Sequence, residues 1–319
     1  SLDDYITDAG INLADFNGIT DQVTVDGSLY ELPFRSDYWL IYYNKDVFDA
    51  AGIAYPSNDM TMEDYDALAR QLTDTTYGSQ VYGCHYHTWR SAVELFGILD
   101  GKHSILDGNY DWMIPYYDMI LSEEDDGVCQ TYTDLSTEGL HYSAAFSNGN
   151  VAMMNMGSWF ISTLISNLDS GEYDSSLCGN WGIASYPHPD GAEAGSTIAT
   201  ITGLAVTSAS ENKDAAFDFV NWVSGTEGAK VMASTGNFPA IMTDDVINTI
   251  AGMAGFPTDE GSKEALNITN AYLEVPYAEN VSEINSILDT YHTSIMNREV
   301  TVEEGVASMN EQVGKILNQ

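Results

Sequence analysis

The chain has 319 residues, 44% of them hydrophobic, so it is long enough for two domains and can bury a substantial core. Only 10 lysines and arginines stand against 48 aspartates and glutamates, which gives a formal net charge of -38. Because phosphate backbones and anionic lipid surfaces repel so acidic a chain, neither nucleic acid nor a membrane surface is an expected partner.

The sequence offers no segment for membrane insertion. It contains no run of about 18 apolar residues, so no membrane-spanning helix is predicted. The opening residues SLDDYITDAG carry neither the basic start nor the apolar stretch of a secretion signal. We expect any export signal or lipid-anchor cysteine to lie upstream of Ser1.

Two segments have the 3.6-residue apolar spacing and the start signals of amphipathic helices. Thr61 is the predicted N-cap of TMEDYDALARQLTD, which has acidic residues in its first turn. Thr301 opens TVEEGVASMNEQVGKIL, in which Glu304 completes a capping box. The predicted buried faces consist of Tyr65, Leu68, Ala69 and Leu72 in the first helix and Val302, Val306, Met309, Val313 and Ile316 in the second.

Short apolar runs flanked by Gly, Pro and Asn are predicted to form buried strands. These runs are LIYYN at 40–44, VAMMNM at 151–156, WGIASY at 181–186 and GLAV at 203–206. Because such runs alternate with helical patterns, the sequence predicts an α/β fold with mostly parallel sheets.

A search for catalytic and metal-binding motifs gives little. There is no G-x-S-x-G elbow, no Gly-rich phosphate loop with Lys and no H-E-x-x-H. Cys84, His85 and His87 cluster, but the local sequence supplies no further ligand, so a loop or pocket-rim position is favoured over a metal site. The acidic run 123–126 lacks the alternating spacing of a calcium loop and is predicted to be a solvated turn. We expect neither a metal nor a cofactor.

The three cysteines, Cys84, Cys129 and Cys178, are odd in number and have no C-x-x-C spacing. The sequence therefore indicates neither a zinc site nor a dense disulfide framework. One disulfide between Cys84 and Cys129 and three partly buried thiols are the two alternatives, and the second is favoured.

The aromatic residues point to a ligand class. Twenty tyrosines and six tryptophans make up most of the aromatic total. A pyranose ring presents an apolar C–H face to an aromatic ring and hydroxyls to polar groups, so aromatics beside small polar residues suit a sugar site. Any single aromatic is nevertheless more often a core residue. The aromatics in such settings are Phe34, Tyr38, Trp39, Tyr86, Trp89 and Trp159.

Three stretches resemble the sugar-binding lipoproteins of ABC importers, the family that includes maltose-binding protein. The first is YELPFRSDYWLIYYNKDVFDAAGIAYPSNDMTMEDYDALARQLT at 30–73, similar in its Leu-Pro, Tyr-Asn-Lys-Asp and Ala-Gly-Ile elements. The second is FSNGNVAMMNMGSWFISTL at 146–164, with Gly-x-x-Ala-Met and Gly-Ser-Trp. The third is TGLAVTSASENKDAAFDFVNWVSGTEGAKVMASTGNFPA at 202–240, with an Asn-Lys helix and Phe-x-x-Trp. Their order and spacing also agree, so the likeness covers nearly the whole chain.

The resemblance implies a two-lobed α/β fold of the type II periplasmic-binding-protein kind, with the ligand in the cleft between lobes that close by a hinge. Family members begin with further strands and helices of lobe one, and we expect this chain to lack that N-terminal part. The expected boundaries are 1–40 and 205–250 for lobe one, 43–198 and 260–319 for lobe two, and hinge crossings near 38–42, 198–204 and 245–262.

The resemblance also implies a function without catalysis. The expected role is capture of an oligosaccharide or other carbohydrate outside the cell and its delivery to the permease of an ABC importer, by a monomer that is lipid-anchored or periplasmic. Trp159 is expected to stack on a sugar face, and Gly157 to let the backbone approach the ligand. The candidate ligand-binding residues are Arg35, Asp37, Tyr38, Trp39, Gly157, Ser158, Trp159, a turn at Thr202 and Gly203, and more weakly Trp89 and His87.

Two other functions are weighed against this one. A secreted glycoside hydrolase or lyase acting on similar glycans would need a pair of carboxylates at catalytic separation in the cleft. The same binding fold with a polyamine or peptide ligand would have converging carboxylates, rather than aromatic faces, along the cleft.

Overall fold

The computed structural model describes residues 1–74 and 80–318. Six strands form a mixed sheet whose organising element is one strand of 13 residues, β1, which pairs with three of the others. The strands are β1 (Leu32–Asn44), β2 (Tyr82–His85), β3 (Val151–Gly157), β4 (Trp181–Ser185), β5 (Thr197–Leu204) and β6 (Ala271–Leu273).

The pairing changes along β1. Residues 39–44 lie between β3 and β4, whereas residues 32–38 pair with β5, all in antiparallel register. β2 joins β3 and β6 joins β5 in parallel. Within the described residues three of the five pairings are antiparallel, so the prediction of mostly parallel sheets is wrong. Apolar runs report burial on both faces of a strand, and helices can cover an antiparallel strand as completely as a parallel one.

Helices surround this sheet. Among residues 1–74 and 80–318, no helix combines the length and the hydropathy that a bilayer span requires. The α-helices are α1 (Asp3–Asp8), α2 (Ile19–Gln22), α3 (Lys45–Ala51), α4 (Met62–Leu72), α5 (Ser91–Ile98), α6 (Ile114–Asp125), α7 (Tyr132–Glu138), α8 (Tyr142–Ser147), α9 (Trp159–Ser170), α10 (Ser175–Cys178), α11 (Lys213–Ser224), α12 (Thr226–Ala233), α13 (Asp244–Ala251), α14 (Glu260–Glu264), α15 (Val281–Met296) and α16 (Val302–Leu317), and two 3-10 helices span Leu13–Phe16 and Asp111–Met113.

Both predicted helix starts are confirmed. Thr61 caps α4 and Thr301 caps α16, each as a full capping box in which the acidic residue three positions on, Asp64 or Glu304, accepts a bond from the cap N–H. The predicted apolar face of α16 is buried throughout, and that of α4 is buried except at the half-buried Leu68. The starts and buried faces of these two helices can be predicted because they depend on residues only a few positions apart.

Three of the four predicted strands are confirmed, at 40–44, 151–156 and within 181–186. The fourth is only half right, because β5 covers Thr197–Leu204, so that Gly203 and Leu204 belong to it and Ala205 and Val206 do not. Its sequence TIATITGL alternates threonines with apolar residues, so the strand contains no continuous apolar run. Thr202 and Gly203 consequently lie inside a strand and not in a turn that precedes one.

Buried side chains form two clusters. The larger surrounds β1 to β4 and the helices that cover them. The smaller joins α1 and α11 to the first residue of β1 and consists of Leu2, Ile6, Val23, Leu29, Leu32, Phe217 and Val220. Of the predicted hinge crossings, 38–42 lies in β1 where its partners change, 198–204 lies in β5, and 245–262 extends from α13 into α14.

The acidic run 123–126 is not the predicted solvated turn, since Glu123 and Glu124 are buried in the last turn of α6. The Glu124 carboxylate accepts a bond from the Tyr132 N–H at 2.8 Å and lies 3.4 Å from Arg298. Because Arg298 is distant in the chain, the run alone gives no sign of this partner.

All three cysteines are free thiols in the structure. Cys84, Cys129 and Cys178 are also fully buried, more so than predicted. The alternative of a Cys84–Cys129 disulfide is therefore not what the structure contains, although their sulfur atoms lie within 4.8 Å of one another.

Candidate functional site

A cavity of about 360 Å³ opens beside the middle of β1. Three residues predicted from the sequence, Trp39, Trp89 and Trp159, line it together. Its other lining residues are Thr88, Arg90, Ser91, Glu94, Thr200, Glu274, Val275, Asn285, Asp289, His292 and Thr293. One wall is therefore aromatic and the rest is mainly polar.

The three indole rings contact one another. The Trp39 ring meets the Trp159 ring edge to face, with centroids 5.5 Å apart, and meets the Trp89 ring in the same way at 6.5 Å. Trp39 is only 2% exposed, and its Nε1–H has no hydrogen-bond partner among residues 1–74 and 80–318, whereas Trp89 is 40% exposed. The cavity wall thus combines an accessible ring, that of Trp89, with a buried ring, that of Trp39.

Trp159 is held from two directions. It is the first residue of α9, and its Nε1–H donates to the Tyr142 hydroxyl at 3.2 Å. A Cβ atom at Gly157 would lie 2.1 Å from the Trp159 ring. Gly157 therefore makes room for the indole, which occupies the space that the prediction reserved for an approaching ligand.

Arg35 and Asp37 of β1 form a hydrogen-bonded group with Ser158, the residue that precedes α9. Arg35 Nε lies 2.6 Å from Asp37 Oδ2, and the Ser158 hydroxyl donates to Asp37 Oδ1 at 3.0 Å. Burial raises the pKa of Asp37, against the lowering effects of Arg35 and Ser158. Because alternate strand residues share a face, Arg35 and Asp37 extend the surface that carries Trp39, although neither lines the cavity.

The other candidates lie apart from the cavity. Tyr38 is buried in the core, edge to face with Phe238 at 6.0 Å. Thr202 is exposed and pairs with Arg35 across the ladder. A Cβ atom at Gly203 would lie 2.3 Å from the Glu31 side chain. The glycine therefore makes room for Glu31.

His87 belongs to the aromatic surroundings of the cavity. Its ring lies 4.6 Å from that of Trp89 and 5.4 Å from that of Tyr142. Burial, together with the neighbouring His141, lowers the pKa of His87 to about 4, so the ring is neutral at pH 7. The cluster Cys84, His85 and His87 therefore separates, with His87 beside the tryptophans and the other two residues in β2.

A buried ion pair lines the cavity, and sequence reasoning missed it. Arg90 Nε lies 2.7 Å from Glu94 Oε2, and its Nη1 lies 2.8 Å from Asp289 and also donates to the Asn285 carbonyl. Burial raises the pKa of Glu94 to about 7, while Arg90 opposes that shift. The available signal was that Arg90, one of 10 cations, directly follows Trp89.

Glu274 is another cavity residue that sequence reasoning missed. One carboxylate oxygen accepts a bond from the Thr200 hydroxyl at 2.8 Å, and the other accepts one from the Ser91 hydroxyl. Glu274 thereby connects β5 to α5 across the cavity. No local motif marks it, because both partners are remote in sequence.

The chain is similar to a known protein family and to several solved structures. Residues 1–230 match the model of the bacterial extracellular solute-binding protein family. A crystal structure of a sugar transporter from Rhizobium etli in an open conformation is 47% identical with a TM-score of 0.91, and the match covers 98% of this chain and 79% of that one. An ABC substrate-binding protein from Listeria monocytogenes in complex with cycloalternan is 22% identical with a TM-score of 0.81, over 99% of this chain and 79% of that one.

A mannitol-binding protein from Pseudomonas aeruginosa is 24% identical over 223 residues, which are 67% of this chain and 49% of the relative. The chain thus spans about half the length of this curated relative. The two-lobed α/β fold expected from the sequence is confirmed by the structural likenesses. Since the family model covers well over half of its residues, the chain belongs to the bacterial extracellular solute-binding proteins.

Proposed function

We propose that this protein captures a carbohydrate or sugar alcohol for an ABC importer and holds it against Trp39, Trp89 and Trp159. The observation that carries the proposal is the aromatic wall of the 360 Å³ cavity, which faces hydroxyl, amide and carboxylate groups. Indole faces pack on the C–H face of a sugar, and the polar groups bind its hydroxyls. The Rhizobium etli sugar transporter and the Pseudomonas aeruginosa mannitol-binding protein support this ligand class.

The cavity favours a small ligand. Its volume lies near the lower end of the roughly 300–1,000 Å³ that ligand pockets occupy. A larger cavity of about 730 Å³ adjoins it and shares Thr200, Glu274 and Val275 with it. We therefore propose a ligand of one or two sugar units, or a sugar alcohol, with the adjoining cavity open to a longer chain.

Binding would act through closure of the lobes. The hinge would lie where β1 and β5 pass between the two groups of strands, near 38–42 and 198–204, with a third crossing within 245–262. A ligand that contacts both lobes only in the closed form shifts the equilibrium toward it and presents a new surface to the permease. In this proposal the protein acts as a monomer outside the cytoplasmic membrane, lipid-anchored or periplasmic, and makes or breaks no bond.

A polyamine is the second candidate because three carboxylates, those of Glu94, Asp289 and Glu274, line the cavity. Arg90 already pairs with Glu94 and Asp289, and Glu274 already accepts two hydroxyl bonds. Only part of this negative charge is therefore free for a cationic ligand, and the aromatic wall favours a neutral one.

Thermal-shift measurements test the proposal. The chain is heated with monosaccharides, disaccharides, sugar alcohols or spermidine, and each hit is titrated by calorimetry. A ligand at 100 times its Kd stabilises the native state by about 2.7 kcal/mol. We expect a sugar or sugar alcohol to raise Tm and to be recovered unchanged by chromatography. Stabilisation by spermidine alone, or the appearance of cleavage products, would overturn the assignment.

A further inference from the structure

Away from the cavity, two thiols and a carboxylate converge in the core. Cys84, Glu123 and Cys129 each offer a ligand atom, and these atoms lie within 4.8 Å of one another. The three residues are 0%, 0% and 2% exposed. Their close approach is therefore shielded from solvent, unlike that of an exposed acidic cluster.

The backbone holds these residues in place. Cys84 lies in β2, Glu123 lies in the last turn of α6, and Cys129 follows in the next loop. The N–H of Val128 donates to the carbonyl of Glu123 at 2.8 Å, and the N–H of Gly83 donates to the carbonyl of Val128 at 2.9 Å. Helix, loop and strand are thereby joined at the position where the three side chains meet.

Within residues 1–74 and 80–318, the Glu123 carboxylate is buried without the hydrogen bonds that such a group normally makes. Neither oxygen of Glu123 has a hydrogen-bond partner within the described part of the chain. Burial raises its pKa to about 8. The Tyr86 hydroxyl, the Asp66 carboxylate and Arg70 also lie near enough to shift this pKa, but none makes a hydrogen bond of good geometry with it. The adjoining Tyr86 hydroxyl is also buried, and among the described residues it makes no hydrogen bond of good geometry. Buried polar groups normally have partners, so these atoms indicate a missing one.

We propose that Cys84, Glu123 and Cys129 bind a zinc ion, with the Tyr86 hydroxyl in the fourth position. Thiolates select zinc over calcium or magnesium, and two sulfurs with two oxygens satisfy its tetrahedral preference. The ion displaces the two thiol protons and the carboxyl proton, which leave as H⁺, and no electron is transferred. Because the site is closed to solvent, the zinc stabilises the fold and does not meet the carbohydrate.

A disulfide between Cys84 and Cys129 is the competing outcome. The oxidising environment outside the cytoplasmic membrane would supply the oxidant that this bond requires, but the disulfide would leave both oxygens of Glu123 without a partner. A metal ion accounts for the sulfurs, the carboxylate and the tyrosine hydroxyl together, which is why the geometry favours it.

Metal analysis tests the site. The full chain is unfolded in urea with a phosphine reductant, refolded with zinc chloride or cobalt chloride, dialysed, and measured by elemental mass spectrometry. We expect one zinc per chain, and with cobalt a thiolate-to-metal charge-transfer band in the near ultraviolet. A folded chain that stays metal-free after this treatment, or that contains a Cys84–Cys129 disulfide and takes up no metal once reduced, would overturn the proposal.

Matched variants locate the metal. Cys84→Ser and Glu123→Gln should each lower the metal content at least tenfold at limiting zinc, whereas Cys178→Ser, which removes the third buried thiol, should leave it at one per chain. Circular dichroism shows whether each variant is folded, and Glu123→Gln keeps the shape of the side chain. Loss of metal in Cys178→Ser, or full metal content in folded Cys84→Ser, would place the ion elsewhere.

Discussion

Trp39 and Trp159 meet edge to face, with ring centroids 5.5 Å apart and ring planes at 82°. The contact joins β1 to the start of α9, and an edge-to-face pair is favourable beyond the area that it buries. It fixes the orientation of the aromatic wall before any ligand arrives. Preorganisation of this kind lowers the entropy that binding costs.

Trp159→Ala should weaken carbohydrate binding at least tenfold without unfolding the protein. The variant removes the indole that lines the cavity and also the contact that orients Trp39. Calorimetry with the ligand identified by the thermal-shift panel measures the change in Kd. Trp222→Ala is the control, since Trp222 is 54% exposed on α11 and lies outside the cavity. Equal affinity losses in the two variants would remove Trp159 from the site.

Gly157→Ala should reduce affinity although residue 157 does not line the cavity. The added methyl would lie 2.1 Å from the Trp159 ring, so the ring must move or the strand must shift. Gly314→Ala is the control, because a Cβ there meets nothing within 4 Å inside α16. That change should leave Kd unaltered and raise stability by up to about 1 kcal/mol. Unchanged binding in Gly157→Ala would show that the indole position is not critical.

Arg90→Met should lower the free energy of unfolding by about 3–5 kcal/mol. This is the usual effect of removing one partner of a buried ion pair and leaving the other charge buried alone. Glu94 is then buried without its cation. Since Arg90 lowers the pKa of Glu94, its removal raises that pKa further, and the loss should be smaller at pH 5 than at pH 8. Urea denaturation at pH 5 and at pH 8 measures the loss of unfolding free energy at each pH.

The double variant Arg90→Met with Glu94→Leu serves as the control for that experiment. Replacing both members of a buried pair with apolar residues is often close to neutral, so it should recover most of the stability. If the double variant is no more stable than Arg90→Met, the buried charge on Glu94 is not the cause of the loss.

Without metal, Glu123 should make the native state less stable as pH rises. Its pKa is about 8 in the folded state against 4.5 for a solvated glutamate, so the folded chain binds the proton more tightly. The stabilisation is complete below the unfolded pKa and is lost as pH rises toward 8. Between pH 5 and pH 8, the free energy of unfolding relative to Glu123→Gln should fall by at least about 1 kcal/mol.

Denaturation of both chains with a chelator and a reductant present provides this measurement. The comparison with Glu123→Gln cancels the contributions of buried histidines, whose lowered pKa values act with the opposite sign below pH 6.5. Glu283→Gln, at an exposed position, should retain the pH dependence of the unchanged chain. A parallel pair of curves for Glu123→Gln and the unchanged chain would contradict the prediction.

The sequence by itself determined the starts of α4 and α16, the strands at 40–44 and 151–156, the two-lobed fold and three of the residues that line the cavity. Caps and apolar periodicity depend on residues a few positions apart, and Trp39 and Trp159 stand inside the motifs that resemble the family. Signals of this kind can be recognised in the sequence alone.

Only the tertiary structure decided which polar groups complete the cavity and where the buried thiols meet. Arg90 and Asp289 are 199 positions apart, and Ser91 and Glu274 are 183 apart. The burial of Glu123 likewise depends on packing between α6 and β2. The acidic run by itself predicts a solvated turn. Contacts at such separation depend on how the elements pack, and no pattern of neighbouring residues records them.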